Sequence, residues 1–104
     1  MNEITVNELK SHQEKGTELL LVDVREQHEY DNANLGGELI PMGTVLDSLN
    51  KIPKDKMVVV HCRSGARSAA VIRELETNHG YDNLYNLKGG ITAWKSEIDP
   101  SLNL

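Results

Sequence analysis

Two kinds of apolar pattern alternate along the chain. Leu19-Leu20-Leu21-Val22 and Met57-Val58-Val59-Val60 are unbroken aliphatic runs, too short for a globular helix and without the polar alternation of a half-exposed strand. Each therefore predicts a strand buried on both faces, over Glu18 to Val24 and Lys56 to His61, and doubly buried strands belong to parallel sheets. Ala69, Ala70, Ile72, Arg73, Leu75 and Glu76 instead suit an amphipathic helix from about Ala66 to between Asn78 and Gly80. Weaker signals fill the remainder. Ile4-Thr5-Val6 reads as a short strand, and Asn7 as the cap of a helix through Leu9 to about Lys15, stopped by Gly16. Glu26 to about Asn32 reads as a short helix broken by Gly36-Gly37, followed by a brief Leu39-Ile40 strand that Pro41 ends. Val45, Leu46, Leu49 and Ile52 give near-helical spacing between Thr44 and Pro53. Leu84 to Leu87 forms the last strand, Gly89-Gly90 a tight turn, and Ile91 to Ile98 a final helix before Pro100. This alternation predicts an α/β fold, an open, mostly parallel sheet of about five strands with helices on both faces. Ligands in such folds sit beyond the carboxyl ends of the strands.

Length and composition narrow the picture. With 104 residues and no repeat, low-complexity tract or linker, the chain is expected to form one domain over residues 1–104. It has no Phe, and its aromatic residues are Tyr30, Tyr81, Tyr85 and Trp94, so the core should be mostly aliphatic. A net charge of −5 disfavours binding to nucleic acid or to anionic membranes. No run approaches a membrane span or a signal core, so a soluble, cytoplasmic protein is expected. The single cysteine, Cys62, excludes an internal disulfide and a multi-thiolate zinc site. No metal or cofactor is expected. A monomer is expected as well, because every amphipathic stretch has a place against the sheet.

The chemistry concentrates in His61-Cys62-Arg63-Ser64-Gly65-Ala66-Arg67-Ser68, between a buried strand and a helix amino terminus. The thiolate is the reactive form of cysteine, and cationic neighbours or a helix amino terminus lower the thiol pKa. Arg63 and Arg67 offer the cations, and the Ser64-Gly65-Ala66 turn can aim successive backbone N–H groups at the sulfur as an anion-binding nest. Gly65 suits unusual backbone angles. Ser64 and Ser68 add hydroxyl donors, with Ser68 able to cap the first helical turn. A free cysteine at a strand end is commonly inert packing; two arginines and a glycine turn around this one point instead to chemistry.

In these residues the chain resembles the rhodanese family, single-domain sulfurtransferases that carry sulfur as a cysteine persulfide. The resemblance covers nearly the whole chain, since Asp23-Val24-Arg25-Glu26 and Gly89-Gly90-Ile91-Thr92-Ala93-Trp94 also fall in the family's order. It implies that Cys62 is the nucleophile and persulfide carrier, that Arg63, Ser64, Gly65, Ala66, Arg67 and Ser68 form the substrate cradle, and that Asp23 and Arg25 brace it. It further implies a donor such as thiosulfate and an external thiol or cyanide as acceptor, and it admits a protein as the sulfur acceptor. Many family members carry Gly-His-Ile-Pro-Gly-Ala where this chain has Ala33-Asn34-Leu35-Gly36-Gly37-Glu38, so the loop shape over 33–42 and substrate access there are expected to differ. Four residues separate Cys62 from Arg67. Cysteine phosphatases and arsenate reductases have one more, and the tighter loop suits a sulfur atom better than a tetrahedral oxyanion. The alternative is a non-catalytic sulfur carrier or regulatory protein-binding module.

Other residues read more plainly. His61 adjoins the nucleophile, but neighbours on a strand point to opposite faces, which favours a packing role. His12, His28 and His79 show no metal-ligand spacing and are expected to face solvent. Glu29 is expected to pair with Arg25, and Trp94 to pack against the sheet.

Overall fold

The computed structural model describes residues 1–104. Its strands are β1 (Asn2–Ile4), β2 (Leu19–Asp23), β3 (Glu38–Leu39), β4 (Met57–His61) and β5 (Leu84–Leu87), and its helices α1 (Val6–Lys15), α2 (Gln27–Asn32), α3 (Ala66–Asn78) and α4 (Gly90–Glu97). The strands form one sheet in the order β1-β5-β4-β2-β3, with every pair parallel. The two unbroken aliphatic runs are the neighbouring central strands β2 and β4, where only apolar side chains satisfy both faces.

Alternation along β4 splits the interior in two. Val58, Val60 and Cys62 join Val22, Val24, Ile72, Leu75 and Leu84 on one side, roofed by α3 and the 42–52 segment. Val59 joins Ile4, Leu9, Leu21 and Leu87 on the other, with Ala93 and Trp94 of α4 packed against them. Tyr81 is the one buried aromatic residue, so the core is mostly aliphatic as expected.

Boundaries shift where side-chain chemistry overrides the pattern. Helix α1 is capped by Thr5, not Asn7: the Thr5 hydroxyl accepts from the Glu8 N–H at 3.1 Å while the Glu8 carboxylate accepts from the Thr5 N–H at 2.9 Å. This reciprocal box satisfies two otherwise orphaned groups, and β1 accordingly ends at Ile4. The 44–53 segment forms two 3₁₀ turns, Met42–Asp47 and Leu49–Lys51, instead of a single helix. Its anchors, Val45 and Ile52, reach the core separately while Leu46 stays exposed. β3 lies one residue earlier than Leu39-Ile40. No helix is long and apolar enough to cross a membrane.

The register sets Asp23 beside His61 at the carboxyl ends of β2 and β4. The Arg25 backbone and the Cys62 loop therefore emerge side by side, at the edge where open α/β sheets bind ligands.

Candidate active site

Cys62 follows the last residue of β4, and the chain then turns sharply into α3. Gly65 makes that turn with φ of 113°, a conformation costly for any residue with a Cβ. Its N–H donates to the Cys62 Sγ at 3.1 Å, and the Ser68 hydroxyl lies 3.4 Å from the same sulfur. Burial pushes the thiol pKa up, but the Ser68 hydroxyl and the N–H groups of Ser68, Gly65 and Ser64 outweigh it, leaving the thiol below its ordinary value. Cys62 is only 1% exposed, while Arg63, Ser64 and Ala66 above it are exposed. The sulfur is thus the floor of the loop, one layer below solvent.

The donors differ from the expected ones in a specific way. Both arginines are close to the cysteine in sequence, yet neither guanidinium hydrogen-bonds the sulfur. Arg63 is exposed and Arg67 turns to Glu29. The anion is held by dipoles at short range, with Arg67 contributing only through space. Nor does Ser68 cap α3, whose cap residue is Gly65 with no side-chain bond. Ser68 lies fully buried on the inner face of the first turn, where its hydroxyl meets the Asn86 Oδ1 at 2.6 Å. Asn86 in turn donates from Nδ2 to the Gly65 carbonyl at 3.1 Å, which fixes its amide orientation. A hydroxyl has one proton to give. Over the protonated thiol it serves Asn86, and over the thiolate it can turn to the sulfur.

Asn86 was not anticipated. Its signal was a polar residue between the buried Leu84 and Leu87 of β5, paired with Val60 two residues before the cysteine.

The Gly89-Gly90 turn secures the loop from its other side. The Ile91 N–H donates to the Cys62 carbonyl at 3.0 Å and the Thr92 N–H to the Arg63 carbonyl at 3.1 Å. The first N–H groups of α4 lack helical partners, and the two loop carbonyls satisfy them. A Cβ on Gly90 would lie 2.4 Å from the Arg63 carbonyl oxygen and 2.5 Å from that of Cys62, so only glycine allows this approach.

Below the loop, Asp23 and Arg25 form a buried ion pair at 2.8 Å. The carboxylate also accepts from the Arg25 backbone N–H at 3.0 Å, and the guanidinium donates to the Ala33 carbonyl at 2.7 Å. The divergent 33–42 segment is thereby tied to the site. Gly37 within it approaches the Leu21 carbonyl so closely that a Cβ would sit 2.7 Å away. His61 is fully buried, with Nε2 3.6 Å from the Asp23 carboxylate and without a hydrogen-bond partner. Burial lowers its pKa despite the opposing charge of Asp23, so it packs as a neutral ring.

Glu29 does not pair with Arg25. It binds Arg67 through a two-pronged contact, Nη1 to Oε1 at 2.7 Å and Nη2 to Oε2 at 2.9 Å. The Arg67 hydrogen bonds hold the Glu29 carboxyl at about 2, well below its ordinary value. His28 is exposed, but His12 and His79 are half-buried in local contacts with Thr17 and Glu74.

A strand-end thiol beneath a glycine turn, backed by a buried Asp–Arg pair and clamped by a Gly-Gly helix start, defines a rhodanese-like α/β domain. The family model for the Rhodanese-like domain matches residues 5–97, and the chain belongs to that family. A sulfurtransferase of Allochromatium vinosum is 38% identical over 95 residues, which cover 90% of this chain and 88% of the relative. The thiosulfate sulfurtransferase GlpE of Coxiella burnetii is 30% identical over 83 residues, covering 79% of this chain and 77% of its own. The Mycobacterium tuberculosis protein named probable adenylyltransferase/sulfurtransferase MoeZ is 33% identical over 102 residues; the match takes in 95% of this chain but spans only 26% of that longer relative. Among solved structures, a rhodanese-like domain protein from Staphylococcus aureus superposes with a TM-score of 0.83 at 36% identity, covering 100% of this chain and 98% of that one.

Proposed function

We propose that the chain is a sulfurtransferase that moves a sulfane sulfur from a donor such as thiosulfate to a nucleophilic acceptor through a persulfide on Cys62. The observation that carries this reading is the ring of donors around one sulfur: the Gly65 N–H at 3.1 Å and the Ser68 hydroxyl at 3.4 Å, at the mouth of a parallel sheet. The Cys62 thiolate attacks the outer sulfur of the donor. The donor's S–S bond breaks with its electron pair on the leaving group, which is sulfite when thiosulfate is the donor. The same fixed dipoles then stabilise the persulfide anion. An external thiol or cyanide attacks the outer sulfur and restores the thiolate. No second cysteine is present to resolve the persulfide as an internal disulfide. The acceptor is therefore a nucleophile other than a second cysteine of this chain, such as a small thiol or a protein thiol.

In this reading Arg63, Ser64, Gly65, Ala66, Arg67 and Ser68 form the cradle, and Asp23 and Arg25 support it. Relatives named as sulfurtransferases support the general activity, and GlpE supports thiosulfate as a working donor. Mass spectrometry after thiosulfate exposure tests the assignment. The wild-type protein should gain one sulfur atom at Cys62 and lose it to cyanide, and Cys62→Ser should gain none. Full steady-state transfer by Cys62→Ser would refute the role of the thiol. Stoichiometric loading without turnover on any acceptor would make the chain a carrier instead of an enzyme.

A further inference from the structure

We infer that Glu29 sets the donor class by charge: its pairing with Arg67 cancels that arginine's charge at the site and occupies its fork, which favours sulfane-sulfur donors bearing at most one negative charge over dianions. The inference rests on the sulfur-transfer reading above and deepens it.

An arginine beside a reactive thiolate is ordinarily a receptor for anionic substrate, because its planar fork matches two oxygens at once. Here both prongs of the Arg67 fork are taken by one carboxylate, at 2.7 and 2.9 Å. The carboxylate is also built into its own element, since Glu29 Oε1 accepts from the Glu26 N–H at 3.1 Å at the start of α2. A substrate oxyanion must therefore displace a held partner or bind beside a negative charge. Ionised Glu29 persists far below neutral pH. The buried Arg25 cannot compensate, because Asp23 and the Ala33 carbonyl occupy it. Exposed Arg63, which has no ion-pair partner, is left for an incoming anion.

Thiosulfate brings two negative charges toward a thiolate and a carboxylate. A thiosulfonate, or the persulfide of a thiol, brings one. The chemistry is otherwise the same. The thiolate takes the outer sulfur, the S–S bond breaks, and the electron pair leaves on sulfite, on a sulfinate or on a thiolate. Methanethiosulfonate is the matched probe, because it replaces one charged oxygen of thiosulfate by a methyl group.

The experiment measures kcat/KM with thiosulfate and with methanethiosulfonate, using cyanide as acceptor, for wild type, Glu29→Gln and Glu29→Asp. Glutamine keeps an oxygen for the Glu26 N–H, removes the charge, and replaces one of the two oxygens that hold the Arg67 fork by an NH2 donor. Glu29→Gln should raise the thiosulfate value about five-fold relative to methanethiosulfonate, the order expected for one unit of charge acting through largely solvated surroundings. Glu29→Asp should keep the wild-type ratio. Raising the ionic strength should improve thiosulfate relative to methanethiosulfonate more in wild type than in Glu29→Gln, because the two proteins share the remaining negative charge and differ only in the carboxylate to be screened. If both donors respond equally to Glu29→Gln and the ratio has the same salt dependence in the two proteins, the charge-selection role is overturned while sulfur transfer stands. If neither donor loads sulfur onto Cys62 of the wild-type protein, the underlying reading itself fails.

Discussion

Replacing Gly90 by Ala tests how the active-site loop is held. The added Cβ would meet the Arg63 carbonyl oxygen at 2.4 Å, that of Cys62 at 2.5 Å and the Arg63 carbonyl carbon at 2.6 Å. All three atoms are backbone, so no side chain can swing aside. Relief requires the first turn of α4 to retreat from the loop, lengthening the Ile91-to-Cys62 and Thr92-to-Arg63 hydrogen bonds. Each such bond is worth about 1 kcal/mol. Gly90 also has φ of 58°, and a left-handed conformation costs a residue with a Cβ roughly 1–2 kcal/mol. Together these give a destabilisation of about 3 kcal/mol. Gly16→Ala isolates the conformational part, because Gly16 has φ of 72° with nothing within 4 Å of its Cβ position. That variant should lose about 1 kcal/mol. Urea unfolding at pH 7 reads both, with an unchanged slope and a lowered midpoint. Gly90→Ala should also take up sulfur more slowly at Cys62, since the displaced loop no longer aims the Gly65 N–H at the thiolate. Equal losses for the two variants would refute the argument that close approach, and not backbone angle alone, requires glycine at 90.

Three further outcomes are expected. Ser68→Ala removes the hydroxyl beside the sulfur and should raise the Cys62 pKa, slowing alkylation at pH 7 about ten-fold through loss of a hydrogen bond to a charged atom; an unchanged pH–rate profile would count against it. Arg25→Met leaves Asp23 fully buried without its cation and should destabilise the fold by about 3–5 kcal/mol in urea titrations, whereas a loss under 1 kcal/mol would show the pair to be dispensable. Glu29 has a folded-state pKa of about 2 against an ordinary 4.5, so its pairing stabilises the fold above pH 4.5 and that contribution is lost as pH falls toward 2. Half-exposed as the Arg67 partner is, the contribution is about 1 kcal/mol at neutral pH, and the stability gap between wild type and Glu29→Gln should close at the acid end of that window.

The sheet was legible because β2 and β4 are uniform aliphatic runs, which admit one burial pattern. The thiol loop was legible because the cysteine, glycine and arginines are contiguous. What escaped were contacts between residues remote in sequence. Arg67 and Glu29 are 38 positions apart, and Ser68 and Asn86 18 apart. No local period encodes either pair. The lack of direct contact between Arg67 and the sulfur has that cause: a cation close in sequence was free to find a better partner on another element, and it acts on the thiolate only through space. The Thr5 cap, in contrast, was written in Thr5-Val6-Asn7-Glu8 and was missed because Asn7 is a good cap type in its own right.

The parallel pairing of β1 with β5 and the grip of α4 on the Cys62 loop have a consequence for biosynthesis. Asn2 to Ile4 must wait for Tyr85 to Leu87 before finding a neighbour, and the carbonyls of Cys62 and Arg63 wait for Ile91 and Thr92. Both waits are long ones for a nascent polypeptide, since contacts so distant along the chain close late. A ribosome-bound chain halted before these partners emerge would hold its thiol in an unfinished setting, and reactivity would arrive only when the last helix docks.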